Sequence, residues 1–312
     1  MVLSFNHPEL TLRCVLSARR AAPLSRILLV HNGSESRFVR SLQKDLPFVD
    51  QLVIPENQGY SGGVNAGLKL AFNASEWVLL LTNDCELQKF SQPTPLQNRI
   101  GIWAPQIEVR KTSRIDSLGG AFDPIRLQLT HCRSAAEWVN LPQPKWRYAP
   151  GTALWLHRQV FQETGGLETE FGTYWEDVDF SIRAQAMNWQ IGLAPETVIH
   201  HGVGKTCQKH AHYTSWLYWR NQYLFCHKHT APLRLARKAA GLFRLNRWLD
   251  WRLQWRLQQV RRGLRLAWRL DLPRLRYWLQ VWQYPSQARN QLRQDIRTGS
   301  LTPQARNVTA VP

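Results

Sequence analysis

The sequence predicts an α/β fold, an open sheet of buried strands flanked by helices, followed by a basic helical extension. Three observations carry this. Residues 26–32 (RILLVHN), 50–57 (DQLVIPEN) and 77–84 (WVLLLTND) each hold a continuous run of three to five apolar residues and end in polar turn chemistry. Runs of this kind read as strands of a parallel sheet buried on both faces. Between them, SRFVRSLQKDL and VNAGLKLAFNA carry apolar residues at helical spacing, and strands that alternate with helices form βαβ units. Third, residues 231–312 hold 17 Lys or Arg against three Asp, which is +14 of the net +18. That contrast divides the chain into a nearly balanced domain over 1–230 and a basic, helical tail over 231–312.

Each element follows from local composition. The first strand lies at SFN, near Met1. Ligands of open α/β sheets bind beyond the carboxyl ends of the strands. Here those ends are Asn6, His31–Asn32, Pro55–Asn57 and Asn83–Asp84. Residues 101–150 read as loops and short antiparallel strands. GTALWLHRQVFQETGG restarts regular structure, WQIGLAPETVIHHGVG reads as a strand pair ending in two histidines, and YTSWLYWRNQYLFCHKH reads as a helix.

Bulk composition excludes several classes. An apolar content of 44% with 15 Trp is incompatible with wholesale disorder. Five cysteines at 14, 85, 132, 207 and 226, with no CxxC pair, argue against a disulfide framework and a zinc finger and suit a reducing cytosol. The N-terminus has neither the basic nor the apolar region of a signal peptide. No apolar run approaches the ~20 residues that span a bilayer. A soluble or membrane-surface protein is expected.

Four stretches carry candidate chemistry. ENQGYSGGVNAG (56–67) places Gly59, Gly62, Gly63 and Gly67 between a strand and a helix, where a backbone can approach a phosphate or sugar. The spacing is not GxGxxG, so no dinucleotide fingerprint is present; an ordinary strand–loop–helix turn is the alternative. LLLTNDCEL ends a strand in Asp84, placed either to bind a hard cation through oxygen or simply to end the strand in an Asx-turn. His200 and His201 follow the apolar TVI. Adjacent strand residues point to opposite faces, so at most one of them faces the site. YWEDVDFSIRA (174–184) concentrates Glu176, Asp177 and Asp179 at a helix start. Thr173 with Glu176 reads as a capping box; Asp177, which the cap does not need, is free to act as a general base.

In order, SFN…HNGS…ENQGYSGGVNAG…LLLTND…GGAFD…PGTALWLHR…GG…YWEDVDFSIRA…VIHH…YWRN resembles the family 2 inverting glycosyltransferases. Within that family it is most similar to the rhamnosyltransferase-like and galactofuranosyltransferase-like enzymes of bacterial surface polysaccharides, including lipopolysaccharide. The resemblance runs from about residue 2 to 225. It implies a GT-A fold, a Rossmann-like mixed sheet with a nucleotide half over about 1–100 and an acceptor half over about 101–230. It implies Asp177 as catalytic base and Asp84 as the last acid of the DxD-type motif, holding Mg²⁺ or Mn²⁺; Thr82 stands where the first acid would be. It assigns His200 to the metal shell, with His201 as the alternative. Asn6, Asn57, Gly59, Gly62 and Gly63 fall at donor-contacting positions. His31 stands where the family has the aspartate that reads the pyrimidine; a neutral imidazole can pair with a base edge, so His31 is a candidate donor contact and base reader, and the uridine or thymidine preference stays open.

Trp175, Glu176 and Asp179, beside the base, are candidate acceptor contacts, with Trp175 as a stacking platform or a packing residue. The first strand is shorter than the family pattern, which leaves open whether the start lies a few residues upstream of Met1. The partners implied are a nucleotide-sugar donor and a glycan or polyprenyl-linked acceptor. From Leu242, apolar residues recur at Leu245, Leu249, Leu253, Leu257, Val260 and Leu264, with Arg244, Arg247, Arg261, Arg262, Arg265 and Arg269 mostly opposite and Trp248 and Trp255 at a border. That layout predicts an interfacial helix on an anionic membrane; the resemblance, to a family that often extends polyprenyl-borne glycans in the cytoplasmic leaflet, implies a cytoplasmic enzyme peripheral to that face. A helix packed on the domain is the alternative. Nucleic acid binding through the basic, Trp-rich tail is the alternative function; no RNP, KH or CxxC finger signature accompanies it, and no nucleic acid partner is expected.

Overall fold

β-Branched and leucine runs too short for helices set the sheet. In the computed structural model, which describes residues 1–202 and 217–229 except 94, 95, 97, 111, 113, 125, 126, 223 and 227, they become β1 (Val2–Ser4), β2 (Leu28–Asn32), β3 (Asp50–Ile54) and β4 (Trp77–Thr82). The helices α1 (Pro8–Ala21), α2 (Ser36–Asp45) and α3 (Gly59–Ala71) alternate with them. There follow β5 (Cys85–Lys89), β6 (Ile100–Val109), β7 (Arg114–Ser117), β8 (Gly120–Asp123), β9 (Gln128–His131), α4 (Ala135–Val139), β10 (Arg147–Tyr148), β11 (Ala153–His157), α5 (Arg158–Thr164), α6 (Glu176–Ala186) and β12 (Gln190–His201). Residues 217–222 and 224–226 are helical. The described residues all lie in one compact unit; the basic stripe from Leu242 lies outside them.

The main sheet has the order β3-β2-β1-β4-β11-β6-β12-β5, with β7 against β6, and a small β10-β8-β9 sheet stands apart. β1 to β4 are mutually parallel, β11 is antiparallel to both β4 and β6, and β12 is parallel to β6 but antiparallel to β5. The directions have one consequence for function. The carboxyl ends of β1 to β4, β6 and β12 and the amino ends of β5 and β11 all emerge at the same edge. Asn6, Asn32, Asn57, Asp84, Gly151 and His201 therefore share it.

Strand alternation sends neighbouring side chains to opposite faces. Leu3, Val30, Val78, Leu80 and Leu154 join a cluster with Val64 and Leu68 of α3, Phe161 of α5 and Phe180 of α6. Val2, Leu29, Leu79, Leu81 and Trp155 join a second with Cys14 and Val15 of α1 and Leu42 of α2. The sheet is thus buried between two helical layers, as continuous apolar runs require.

Four expectations change. β3 is an edge strand, so Val53 is 47% exposed instead of buried on both faces. Residues 100–109 form one long interior strand, β6, while the short antiparallel strands begin only at β7. Residues 190–201 are one strand with a register break between Ala194 and Val198; Pro195 there cannot donate to the ladder. The glycine-rich stretch is the first turns of α3 and not a loop, because Gly59 already opens the helix. Among the described cysteines, Cys14, Cys85 and Cys132 are free and buried, and Cys226 is buried.

Candidate active site

The edge where the strand ends converge brings Asp84 and Asp177 onto one run of hydrogen bonds. Asp84 sits in the tight turn between β4 and β5. Thr82 Oγ1 donates to its Oδ1 at 2.7 Å, and the same hydroxyl lies 3.3 Å from the Thr152 carbonyl. Thr82 N–H also donates to that carbonyl. One residue earlier, Gly151 N–H donates to Asp177 Oδ2 at 2.8 Å. The Gly151–Thr152 segment, just before β11, therefore touches both carboxylates' surroundings.

His201 Nε2 stands 3.2 Å from Asp84 Oδ2. Burial pushes the Asp84 carboxyl up, but its contacts with His201 and Thr82 outweigh this and hold it below the ordinary range. His200 goes to the other face of β12, where its Nε2 is 3.1 Å from Glu108 Oε2. This corrects the assignment of His200 beside Asp84: strand alternation gives that place to His201. No group of three His, Cys, Asp or Glu able to hold a metal exists among the described residues. Asp84 and His201 still form an oxygen–nitrogen pair, and Mg²⁺ sites are commonly completed by substrate phosphates and water. The donor set fits an open site of that kind, not a closed protein cage.

Asp177 opens α6. Its Oδ1 accepts from Val178 N–H and its Oδ2 from Gly151 N–H. Burial nevertheless pushes the carboxyl above its usual range, which strengthens it as a base. Tyr174 and Trp175 enter the helix with φ of 74° and 71°, so the capping box does not form. The N-cap is Trp175, which makes no side-chain cap, and Thr173 Oγ1 accepts from Tyr60 N–H instead. Asn221 stabilises this left-handed approach: its Nδ2 donates to the carbonyls of Phe171, Thr173 and Tyr174, each at 2.7 Å.

The three acceptor candidates have other surroundings. Trp175 is 2% exposed and packs against Phe122, Tyr218 and Phe225. It is a core residue here, not a stacking platform, because its left-handed backbone turns the indole inward. Glu176 is buried; burial, then the Asp177 charge, pushes its carboxyl well up. Asp179 is fully buried and joined to Arg183, Lys228 and His229. Burial alone would raise it, yet these partners lower it to about 2. It fastens residues 228 and 229 to α6 and presents nothing to an acceptor.

On the donor side, Asn32 is the organiser that the motif reading missed. Its Nδ2 donates to Gly59 O and Asn57 Oδ1, and its Oδ1 accepts from Gln58 N–H. Asn57 Oδ1 accepts from Gly59 N–H. Asn6, with φ of 55°, ties the β1 end to Ser34 and Glu35. Gly59, Gly62 and Gly63 are buried and closely packed: a Cβ on Gly63 would lie 2.8 Å from Asn32 and Leu3, and one on Gly62 would lie 2.6 Å from Gln58 Cβ. His31 is wholly buried, with Nε2 2.8 Å from Gln51 Oε1. Burial lowers its pKa, against the Gln51 bond, so it is a neutral core group in place of the expected base reader.

Comparison with known proteins agrees with this frame. Residues 1–93 match the model of glycosyl transferase family 2. A Haloferax volcanii protein, the low-salt glycan biosynthesis hexosyltransferase Agl10, is 24% identical over 218 residues, covering 66% of this chain and 68% of the relative. An uncharacterized protein of Mycobacterium tuberculosis is 27% identical over 163 residues, covering 50% of this chain and 58% of its own length. Among solved structures, GalNAc-T7 with UDP, GalNAc and Mn²⁺ superposes with a TM-score of 0.51 at 17% identity, over 64% of this chain and 42% of that one. The chain thus spans less than half of that solved protein. The fold is a GT-A fold.

Proposed function

Residues 1–93 match the model of glycosyl transferase family 2, and from that match we propose that the chain transfers a sugar with inversion from a nucleotide-sugar donor to a hydroxyl of a glycan or lipid-linked glycan. The observation that carries the reading is the convergence of Asp84 and Asp177 on the Thr82–Thr152–Gly151 hydrogen-bond run. Asp84 with His201 would hold Mg²⁺ or Mn²⁺, whose chemistry is charge neutralisation on the donor diphosphate. The 3.2 Å Asp84–His201 pair supports that choice of ligands.

Asp177 performs the proton transfer. Its carboxylate takes the proton of the acceptor hydroxyl as that oxygen forms a bond to the anomeric carbon and the bond to the nucleoside diphosphate breaks. The backbone N–H groups of Gly151 and Val178 each occupy one oxygen. They fix the carboxylate's direction while leaving lone pairs for the incoming proton. A base so held contributes about 10²–10⁴-fold.

We place the enzyme peripherally, on an anionic cytoplasmic membrane face where polyprenyl-linked acceptors of surface polysaccharides, lipopolysaccharide among them, would be met. The +14 charge of residues 231–312 supports this. No helix among the described residues is long and apolar enough to cross a membrane.

The test is a donor screen read by nucleoside diphosphate release, with and without Mn²⁺, on wild type and Asp177→Asn. The variant is expected to lose at least ~10²-fold in turnover with donor affinity unchanged. The wild-type rate should fall on the acid side as Asp177 is protonated. Because its pKa is raised, that limb lies above the ordinary carboxylate range. Asp177→Asn retaining more than a tenth of turnover would remove the base assignment.

A further inference from the structure

Gly151 is held from both sides. Its N–H donates to Asp177 Oδ2 at 2.8 Å, and its carbonyl accepts from the Tyr60 hydroxyl. A Cβ on this glycine would lie 3.0 Å from the Tyr60 oxygen and 3.3 Å from Asp177 Cβ, so the three groups are in van der Waals contact. Tyr60 belongs to α3, on the donor half, and is itself anchored: its N–H donates to Thr173 Oγ1, and Ser61 N–H donates to Gly172 O. Those two acceptors lie on the turn that leads into α6 and Asp177. Tyr60 thus grips both the peptide that bonds the carboxylate and the turn that delivers it.

We propose that Tyr60 is a positioning residue for proton transfer, acting through the Gly151 peptide to aim the Asp177 carboxylate at the acceptor hydroxyl. The inference rests on Asp177 being the base. Burial, and after it the carboxylates of Glu176 and Asp177, push the Tyr60 hydroxyl well up. The phenol therefore remains a donor throughout the working range. A hydroxyl fixed this way orients without reacting, as catalytic groups need to be held within tenths of an ångström by supporting residues. Phenylalanine would preserve the ring and the packing in α3 while releasing the Gly151 carbonyl.

The experiment compares full-length wild type, Tyr60→Phe and Asp177→Asn. For Tyr60→Phe, kcat is expected to fall about tenfold, with donor KM and calorimetric affinity for the nucleoside diphosphate with Mn²⁺ unchanged within about twofold. A loosened Gly151 N–H bond also raises the acid limb of the rate profile, since a carboxylate losing a donated hydrogen bond binds its proton more tightly. The other ionisable groups around Asp177 are Glu176, Tyr148 and His131, all retained in the variant. A kcat and acid limb both at wild-type values would overturn the Tyr60 proposal. So would an equal loss of nucleotide affinity, which would make Tyr60 a donor contact. If Asp177→Asn itself keeps its turnover, the base assignment falls first and the Tyr60 role with it. If only Tyr60→Phe is silent, the base assignment stands alone.

Discussion

Two carboxylates in this chain are tuned in opposite directions, one by its side-chain partners and the other by burial. Asp84 is drawn below the ordinary range because His201 and Thr82 share its oxygens; Asp177 is pushed above it because burial outweighs two backbone bonds. One suits charge held beside a diphosphate, the other suits proton acceptance. Both residues were legible in the sequence, since each stands at the end of an element in a recognisable motif. Their partners were not. His201 and His200 are equivalent in sequence, and only the register of β12 against β5 and β6 separates them. Asp84→Ala should accordingly abolish the Mn²⁺-dependent part of donor affinity, at least about tenfold by calorimetry, while affinity without metal is retained. His201→Ala should weaken it in the same sense and His200→Ala should not. Equal losses at 200 and 201 would contradict the assignment.

At the scale of elements, α3 determines how closely a helix can cover β1 and β2. Its small residues face β1 and β2, and Gly67 would bring a Cβ within 2.7 Å of Val30 Cγ2. Such positions look like a phosphate loop in sequence because glycine serves both purposes: close backbone approach to a ligand and close packing of a helix on a strand. The strands were legible because apolar runs that short have few alternatives. The start of α3 was not, since glycines at a helix N-terminus lower its propensity and only tertiary packing recovers the loss. The failed capping box has a similar cause, because Asn221, 45 or more residues away, stabilises a left-handed approach that local sequence does not encode. Gly63→Ala tests the packing role. The added methyl must displace Leu3 or the Asn32 amide, which holds Gln58, Gly59 and Asn57 in place. Urea unfolding should show a loss of about 1–3 kcal/mol. An unchanged midpoint would mean that α3 has room the structure does not show.

For the whole molecule, charge is divided as sharply as chemistry. The acids that do the proposed chemistry lie in the GT-A unit, and +14 of the net +18 lies beyond residue 230. Basic residues alone suit membrane or nucleic acid alike, whereas the apolar stripe of Leu245, Leu249, Leu253, Leu257, Val260 and Leu264 favours the proposed membrane boundary over nucleic acid. Basic residues near an anionic surface contribute about 1 kcal/mol each, weakened by salt. Full-length protein should therefore sediment with vesicles containing phosphatidylserine at low ionic strength, remain in the supernatant with neutral vesicles, and be released by ~1 M salt. Replacing Arg261, Arg262, Arg265 and Arg269 together by Gln removes about 4 kcal/mol of that attraction. Sedimentation should fall by at least tenfold in apparent affinity while transfer to a soluble acceptor is unchanged, because Asp84, Asp177 and the groups that hold them all lie before residue 230. Transfer to a vesicle-borne acceptor should drop in parallel with binding. Wild-type protein left in the supernatant with anionic vesicles at low salt would end the membrane reading, and generic RNA would then be the next ligand to titrate.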